Sequence, residues 1–188
     1  IKCDFPIIDG NEELEYAYTN GFFSGDGTYS NITDNIERKC SYKSLDRKAF
    51  CKRHIKYQKN EEISEYCQGI SYSKKPRITL YGEKINLLQY LDYDSCGEIK
   101  NNKLNVTLKV NLQEKFFVPI NNYSIKSKLK WFSGYADADG CICKNNENYS
   151  LQISSIEKEF LVNIKLMLQT CGINVKVSKG RPDRKSWI

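Results

Sequence analysis

The 188-residue chain has a single histidine, His54, so chemistry built on an imidazole base has only one candidate. No apolar run approaches the ~20 residues that a helix needs to cross a bilayer, which excludes a helical membrane span. The opening Ile1-Lys2-Cys3-Asp4 has neither the basic-then-apolar order of a secretion signal nor a Met. It predicts a soluble chain excised from something longer. Acids are in deficit, 23 Asp and Glu against 29 Lys and Arg, giving a net charge of +6 and a pI near 8.8. That balance permits a polyanionic partner without demanding one. Eight cysteines would suit a disulfide scaffold, but nothing else points to secretion. The sequons Asn31-Ile32-Thr33 and Asn148-Tyr149-Ser150 are expected by chance in an Asn-rich chain. Reduced thiols in an intracellular protein are the expectation, with Cys141, Cys143 and Cys171 serving as small core or cap residues.

What the chain does contain is a repeat. Thr19-Asn20-Gly21-Phe22-Phe23-Ser24-Gly25-Asp26-Gly27 and Phe132-Ser133-Gly134-Tyr135-Ala136-Asp137-Ala138-Asp139-Gly140 share one pattern, offset by 113 residues. In each, two small residues stand four apart and are followed by Asp-Gly. Each copy ends a helix-like run, Tyr16 to Ser24 and Ile125 to Asp137, and strand-like sequence follows. Gly21 and Gly25, like Gly134 and Ala138, share one helical face, where missing bulk lets another backbone approach. Gly27 and Gly140 fit the left-handed position after a helix. Asp26 and Asp139 then sit at helix C-termini, where the macrodipole disfavours a carboxylate by about 0.3–1 kcal/mol. Packed along the seam they would lie side by side, tolerable only if one is protonated or a cation lies between them.

The repeat resembles the LAGLIDADG motif, closely in Tyr135-Ala136-Asp137-Ala138-Asp139-Gly140 and in degenerate form in the first copy, where Ser24 replaces the equivalent of Asp137. The chain thus looks like a two-motif homing endonuclease. The resemblance implies an α+β fold of two pseudo-symmetric αββαββα halves forming a saddle, with the motif helices at the centre. It implies site-specific double-strand cleavage of DNA at a long asymmetric target by a monomer, with Asp26 and Asp139 holding Mg²⁺ at the scissile phosphates and a strand lysine, Lys109, beside them. Non-cleaving maturases and DNA-binding regulators use related scaffolds and form the alternative. The spacing and the Val118-Pro119 linker also resemble endonuclease domains of inteins. Position 1 has no nucleophile and no His-Asn pair ends the chain, so splicing is not expected. A nucleus, an organelle or a virus-infected cell would be the setting.

On this plan the first half is 1–115, the linker 116–124 and the second half 125–188, unfinished at Ile188. The expected strands and helices are Thr28–Ile32, Arg77–Leu80, a helix over Glu83–Leu91, and Gly97–Lys100 with Lys103–Val110 joined at Asn101-Asn102. After the second motif come a hairpin of Cys141–Lys144 and Tyr149–Ser154, a helix over Ile156–Leu168 and a strand over Asn174–Ser178. Alternation nominates Tyr29, Arg77, Thr79, Asn105, Thr107 and Lys109, then Lys144, Gln152, Ser154, Lys176 and Ser178, as facing DNA. Each also fits an ordinary solvated strand. Between about 33 and 75 lies a basic, Cys-rich insertion. Its Lys43, Arg47, Lys48, Lys52 and Arg53 would widen the DNA footprint. Its Cys40, Cys51, His54 and Cys67 are candidates for a structural Zn²⁺, on the two-residue gap between Cys51 and His54.

Overall fold

The computed structural model describes residues 5–34, 71–145, 147–180 and 186–188. The chain divides into two compact units, Ile1–Thr28 with Pro76–Ile188, and Tyr29–Lys75. Of the second unit only 29–34 and 71–75 are described. Lys43, Arg47, Lys48, Lys52 and Arg53, and Cys40, Cys51, His54 and Cys67, lie outside the described residues.

The element order is α1 (Ala17–Asp26), β1 (Thr28–Asp34), β2 (Ser71–Tyr81), a 3₁₀ helix (Gly82–Tyr90), β3 (Tyr93–Cys96), β4 (Lys103–Leu108), α2 (Ile125–Asp139), β5 (Gly140–Asn145), β6 (Asn148–Ile153) and α3 (Lys158–Thr170). It is an α+β fold with one four-stranded sheet, ordered β1-β2-β4-β3, and one two-stranded sheet, β5-β6. Every resolved pairing within them is antiparallel. No helix among the described residues is long and apolar enough to cross a membrane.

Helix α1 is buried from Ala17 to Ser24 because it serves two cores. On one side Tyr18, Phe22 and Phe23 pack with Ile78, Leu80, Leu104, Val106 and Leu108 of the large sheet. On the other side Ala17 joins Trp131 and Tyr135 of α2 and Phe160, Ile164 and Met167 of α3. Each wholly buried Phe or Leu contributes roughly 1.5–3 kcal/mol, so these cores fix the two helices. The start of α2 is set locally. The Ser124 hydroxyl accepts from the Ser127 N–H at 3.1 Å, and the Asp9 carboxylate accepts from the Ile125 N–H at 2.7 Å. Both satisfy donors at the positive helix end.

Three local expectations change. Glu83–Leu91 forms a 3₁₀ helix over Gly82–Tyr90, opened by Gly82 at φ +56°, and none of its residues is fully buried, so no packing rewards full α-helical turns. The expected strand Gly97–Lys100 moves back to Tyr93–Cys96. Asn101 and Asn102 do make the turn, both at positive φ (51° and 57°), and a single Lys100–Lys103 bridge closes it, but the continuous ladder resumes at Cys96 opposite Val106. Asn174–Ser178 forms no strand; that region holds isolated bridges of Trp187 to Ser155 and to Lys179. The inward alternation survives, since Val175 and Val177 pack on the second core.

Candidate functional site

The seam between α1 and α2 is built on glycine. A Cβ on Gly21 would collide with the Trp131 carbonyl oxygen, and one on Gly134 with the Tyr18 carbonyl oxygen. Beyond that carbonyl in each case is a backbone nitrogen, Tyr135 at 3.0 Å from the Gly21 position and Phe22 at 2.9 Å from the Gly134 position. Residues 18 and 131, 21 and 134, and 22 and 135 all differ by the offset of the repeat, so the contact is reciprocal, as across a two-fold axis. Lower down, a Cβ on Gly25 would stand 2.6 Å from the Ala138 Cβ and 3.0 Å from Asp139 Oδ2.

Asp26 and Asp139 are the last residues of their helices. Gly27 and Gly140 follow in extended conformation, at φ −75° and −78°, and not in the expected left-handed one. They are glycines for close approach instead: a Cβ on Gly27 would meet the Phe23 ring and carbonyl, and one on Gly140 the Ala136 carbonyl. Each helix therefore runs straight into a strand, with its Asp at the junction.

At these junctions the structure adds two lysines that the motif does not announce. Lys84 Nζ, at the head of the 3₁₀ helix, lies 2.7 Å from Asp26 Oδ2 and also donates to the Ala138 carbonyl at the end of α2. Lys115 Nζ donates to the Gly25 carbonyl at 3.2 Å and to that of Gly27. Asp139 keeps an exposed edge, yet its proton affinity is raised above the ordinary carboxylate value. The largest cause is burial of its carboxyl between the helix ends, then the charge of Asp26, with Lys84 and Lys115 pulling the other way. An open cavity of about 500 Å³ adjoins Asp26, lined by Thr28, Thr79, Tyr81, Glu83 and Lys84.

The other motif positions have structural partners. Asp137 accepts from the Tyr18 hydroxyl at 2.7 Å, which together with burial raises the phenol's proton affinity, burial being the larger cause. Ser24, its counterpart, donates to the Asn20 carbonyl at 3.1 Å within α1. The missing acid of the first copy is thus replaced by a helix-internal hydroxyl, and the departure from the motif leaves Asp26 in place.

Arg77, Thr79, Asn105 and Thr107 share one face of the sheet, opposite the buried Ile78, Leu80, Leu104 and Val106, but Thr107, expected to face DNA, is itself buried beneath Arg77. Arg77 Nε donates to Thr107 Oγ1 at 3.2 Å and Thr79 Oγ1 to Asn105 Oδ1 at 3.0 Å. Lys109 is held by Asp94 at 3.0 Å; the ammonium groups beside the two carboxylates are those of Lys84 and Lys115. Lys144 and Gln152 do not share a face. Cys141 pairs with Gln152 and Lys144 with Tyr149, so Lys144 sides with Ile142, Leu151 and Ile153 while Gln152 sides with Cys141, Cys143 and Ser150. Tyr29, Ser154, Lys176 and Ser178 are exposed. Cys141 and Cys143 are not core residues but are open or partly open to solvent, and Cys171 caps α3.

Among the described residues no cluster of three or more His, Cys, Asp or Glu side chains could hold a metal ion. Two carboxylates with main-chain carbonyls beside them are nevertheless the hard-oxygen set that suits Mg²⁺, which binds through one or two carboxylates and takes other ligands from water and phosphate. The helix ends already draw positive charge, since Lys84 bridges a carboxylate of α1 and a carbonyl of α2. The donor chemistry therefore fits a divalent cation.

Comparison with known proteins gives three findings. Over 183 residues the chain is 35% identical to the ribonucleoside-diphosphate reductase large subunit of Invertebrate iridescent virus 6, a stretch covering 95% of this chain and 15% of that protein. Structures of mesophilic variants of the homing endonuclease I-DmoI superpose with a TM-score of 0.47 at 14% identity, covering 92% of this chain and 84% of that one. Residues 126–187, from the first turn of α2 through α3 to Trp187, match the model of the LAGLIDADG-like domain. Over α2 to Trp187 the chain thus carries a LAGLIDADG-like domain.

Proposed function

We propose that the chain is a site-specific endonuclease cleaving both strands of a long DNA target, with Asp26 and Asp139 holding Mg²⁺. One observation carries this reading: two like-patterned helices are packed so closely, on Gly21 and Gly134, that burial and the charge of Asp26 leave Asp139 with a raised proton affinity. Stability gives no reason to place an acid at each negative helix end. A divalent cation held there would lower the pKa of an attacking water and stabilise charge on the leaving oxygen. Lys84 and Lys115 offer positive charge where phosphate would arrive, and Lys84 competes with any cation for Asp26. Arg77, Thr79 and Asn105 form a polar sheet face of the kind that fits a major groove. Gln152 and Ser150 supply the equivalent face of the β5–β6 hairpin.

The matched stretch occupies 15% of a protein named for a different chemistry, ribonucleotide reduction. That relation supports reading the chain as the nuclease part of an intein carried in a host protein. Sequencing the surrounding gene should find the reading frame continuing on both sides; a frame that stops at either end of the stretch sinks the intein reading.

A second reading, a non-cleaving DNA- or RNA-binding protein, is favoured by the Lys84–Asp26 ion pair, which neutralises one carboxylate without any metal. Incubation with a randomised duplex library and Mg²⁺ separates the two. Cleavage that fails in Asp26→Asn and Asp139→Asn supports the nuclease, and retention of duplex without cutting supports the binder.

A further inference from the structure

Cys141 and Cys143 take no part in the site described above. They stand two apart on β5, so their side chains leave the same face of the strand, and their sulfurs are 3.9 Å apart. Both are free thiols, Cys141 exposed and Cys143 partly so. Both faces of this hairpin are open to solvent, Ile142 and Tyr149 on one and Cys141 on the other, so an ion in solution can reach the thiols. Directly across on β6 are Gln152 and Ser150, whose polar ends lie 3.5 Å apart.

We propose that Cys141 and Cys143 form a two-thiolate chelate for a soft, zinc-class divalent cation on their shared face of the β5–β6 hairpin. Two sulfurs 3.9 Å apart, each about 2.3 Å from a common ion, subtend roughly 115° at it, close to the tetrahedral angle. The strand thus presents the bite without rearrangement. The ion displaces two thiol protons, and each sulfur donates one lone pair. Solvent and the Ser150 and Gln152 side-chain oxygens are within the same face to fill the other positions. Thiolates select soft ions, so Mg²⁺ is not a competitor here. The chelate shares its face with Ser150 and Gln152, which the nuclease reading turns toward DNA, but it needs neither DNA nor Asp26 nor Asp139 to bind the ion. Metal held by the Cys40, Cys51, His54 and Cys67 candidates is distinguished by subtraction.

The test is a Cd²⁺ titration of the full chain kept reduced with a phosphine, following the thiolate-to-cadmium charge-transfer absorbance. Cys141→Ser and Cys143→Ser should each remove one equivalent relative to the parent, while Cys96→Ser, a lone exposed thiol on β3, removes none. Equal stoichiometry in the parent and in the Cys141→Ser/Cys143→Ser double variant overturns the proposal. A second measurement needs no variant: phenylarsine oxide, which condenses with two thiols and releases water, should protect Cys141 and Cys143 together from alkylation in the wild-type chain. Peptide mapping that finds both alkylated at the unprotected rate also overturns it.

Discussion

At the scale of single residues the site is defined by charges in tension. Asp139 carries a raised proton affinity through burial and the charge of Asp26, partly offset by Lys84 and Lys115. The folded chain therefore holds this proton to higher pH than the unfolded chain does. Stability should fall as pH rises above the ordinary carboxylate value of 3.8 and level off once folded Asp139 is ionised. Asp139→Asn should flatten that decline and, at neutral pH without metal, stabilise the chain by about 0.3–1 kcal/mol, read by thermal melts across pH. Carboxyl NMR gives a sharper check on direction. The Asp139 titration should move up in Lys84→Met and in Lys115→Met and down in Asp26→Asn. A shift of opposite sign in any of them contradicts this electrostatic picture. The acids were legible in the sequence because the repeat marks them. The lysines were not: Lys84 and Lys115 belong to no repeat, and tertiary folding alone brings them to helix ends 58 and 88 residues away. Lys109 fitted the expectation of a strand lysine, but Asp94 holds it.

At the scale of elements the seam decides the geometry. Helix α1 has apolar neighbours on two sides and glycine on the third, so it meets α2 backbone to backbone. Gly21→Ala and Gly134→Ala each put a methyl onto a carbonyl oxygen that packing holds in place. Each should cost about 2–3 kcal/mol and roughly 4–12 °C in Tm, since an overpacked interface cannot relax without separating the helices. Calorimetry showing either variant as stable as the parent would mean that the seam is looser than described. Periodicity found both motif helices, the β5–β6 hairpin and α3, because each is long or bounded by a clear turn. It went astray where pairing partners decide. Asn174–Ser178 alternates like a strand, yet only bridges to Trp187 form nearby. Lys144 and Gln152 have the same parity in sequence but opposite faces, because the hairpin register sets even positions of β5 against odd positions of β6.

At the scale of the whole molecule, α1 and α2 come from distant parts of the sequence and end at one pair of carboxylates that neither helix provides alone. Thr79 of the polar sheet face lines the cavity next to Asp26, and the net charge is +6. Affinity for duplex DNA should accordingly fall linearly with the logarithm of salt concentration, as counterion release requires; fluorescence anisotropy over a salt series reads the slope, and a slope of zero would remove the electrostatic basis for DNA as partner. The most direct test of the central claim is Mg²⁺-dependent cleavage of a duplex library by the parent, Asp26→Asn and Asp139→Asn proteins, with folding of each verified by its melt. The account expects both strands to be cut at one target by the parent, and by neither variant. Undiminished cutting by either folded variant, or retention of duplex without any cutting by the parent, would contradict it.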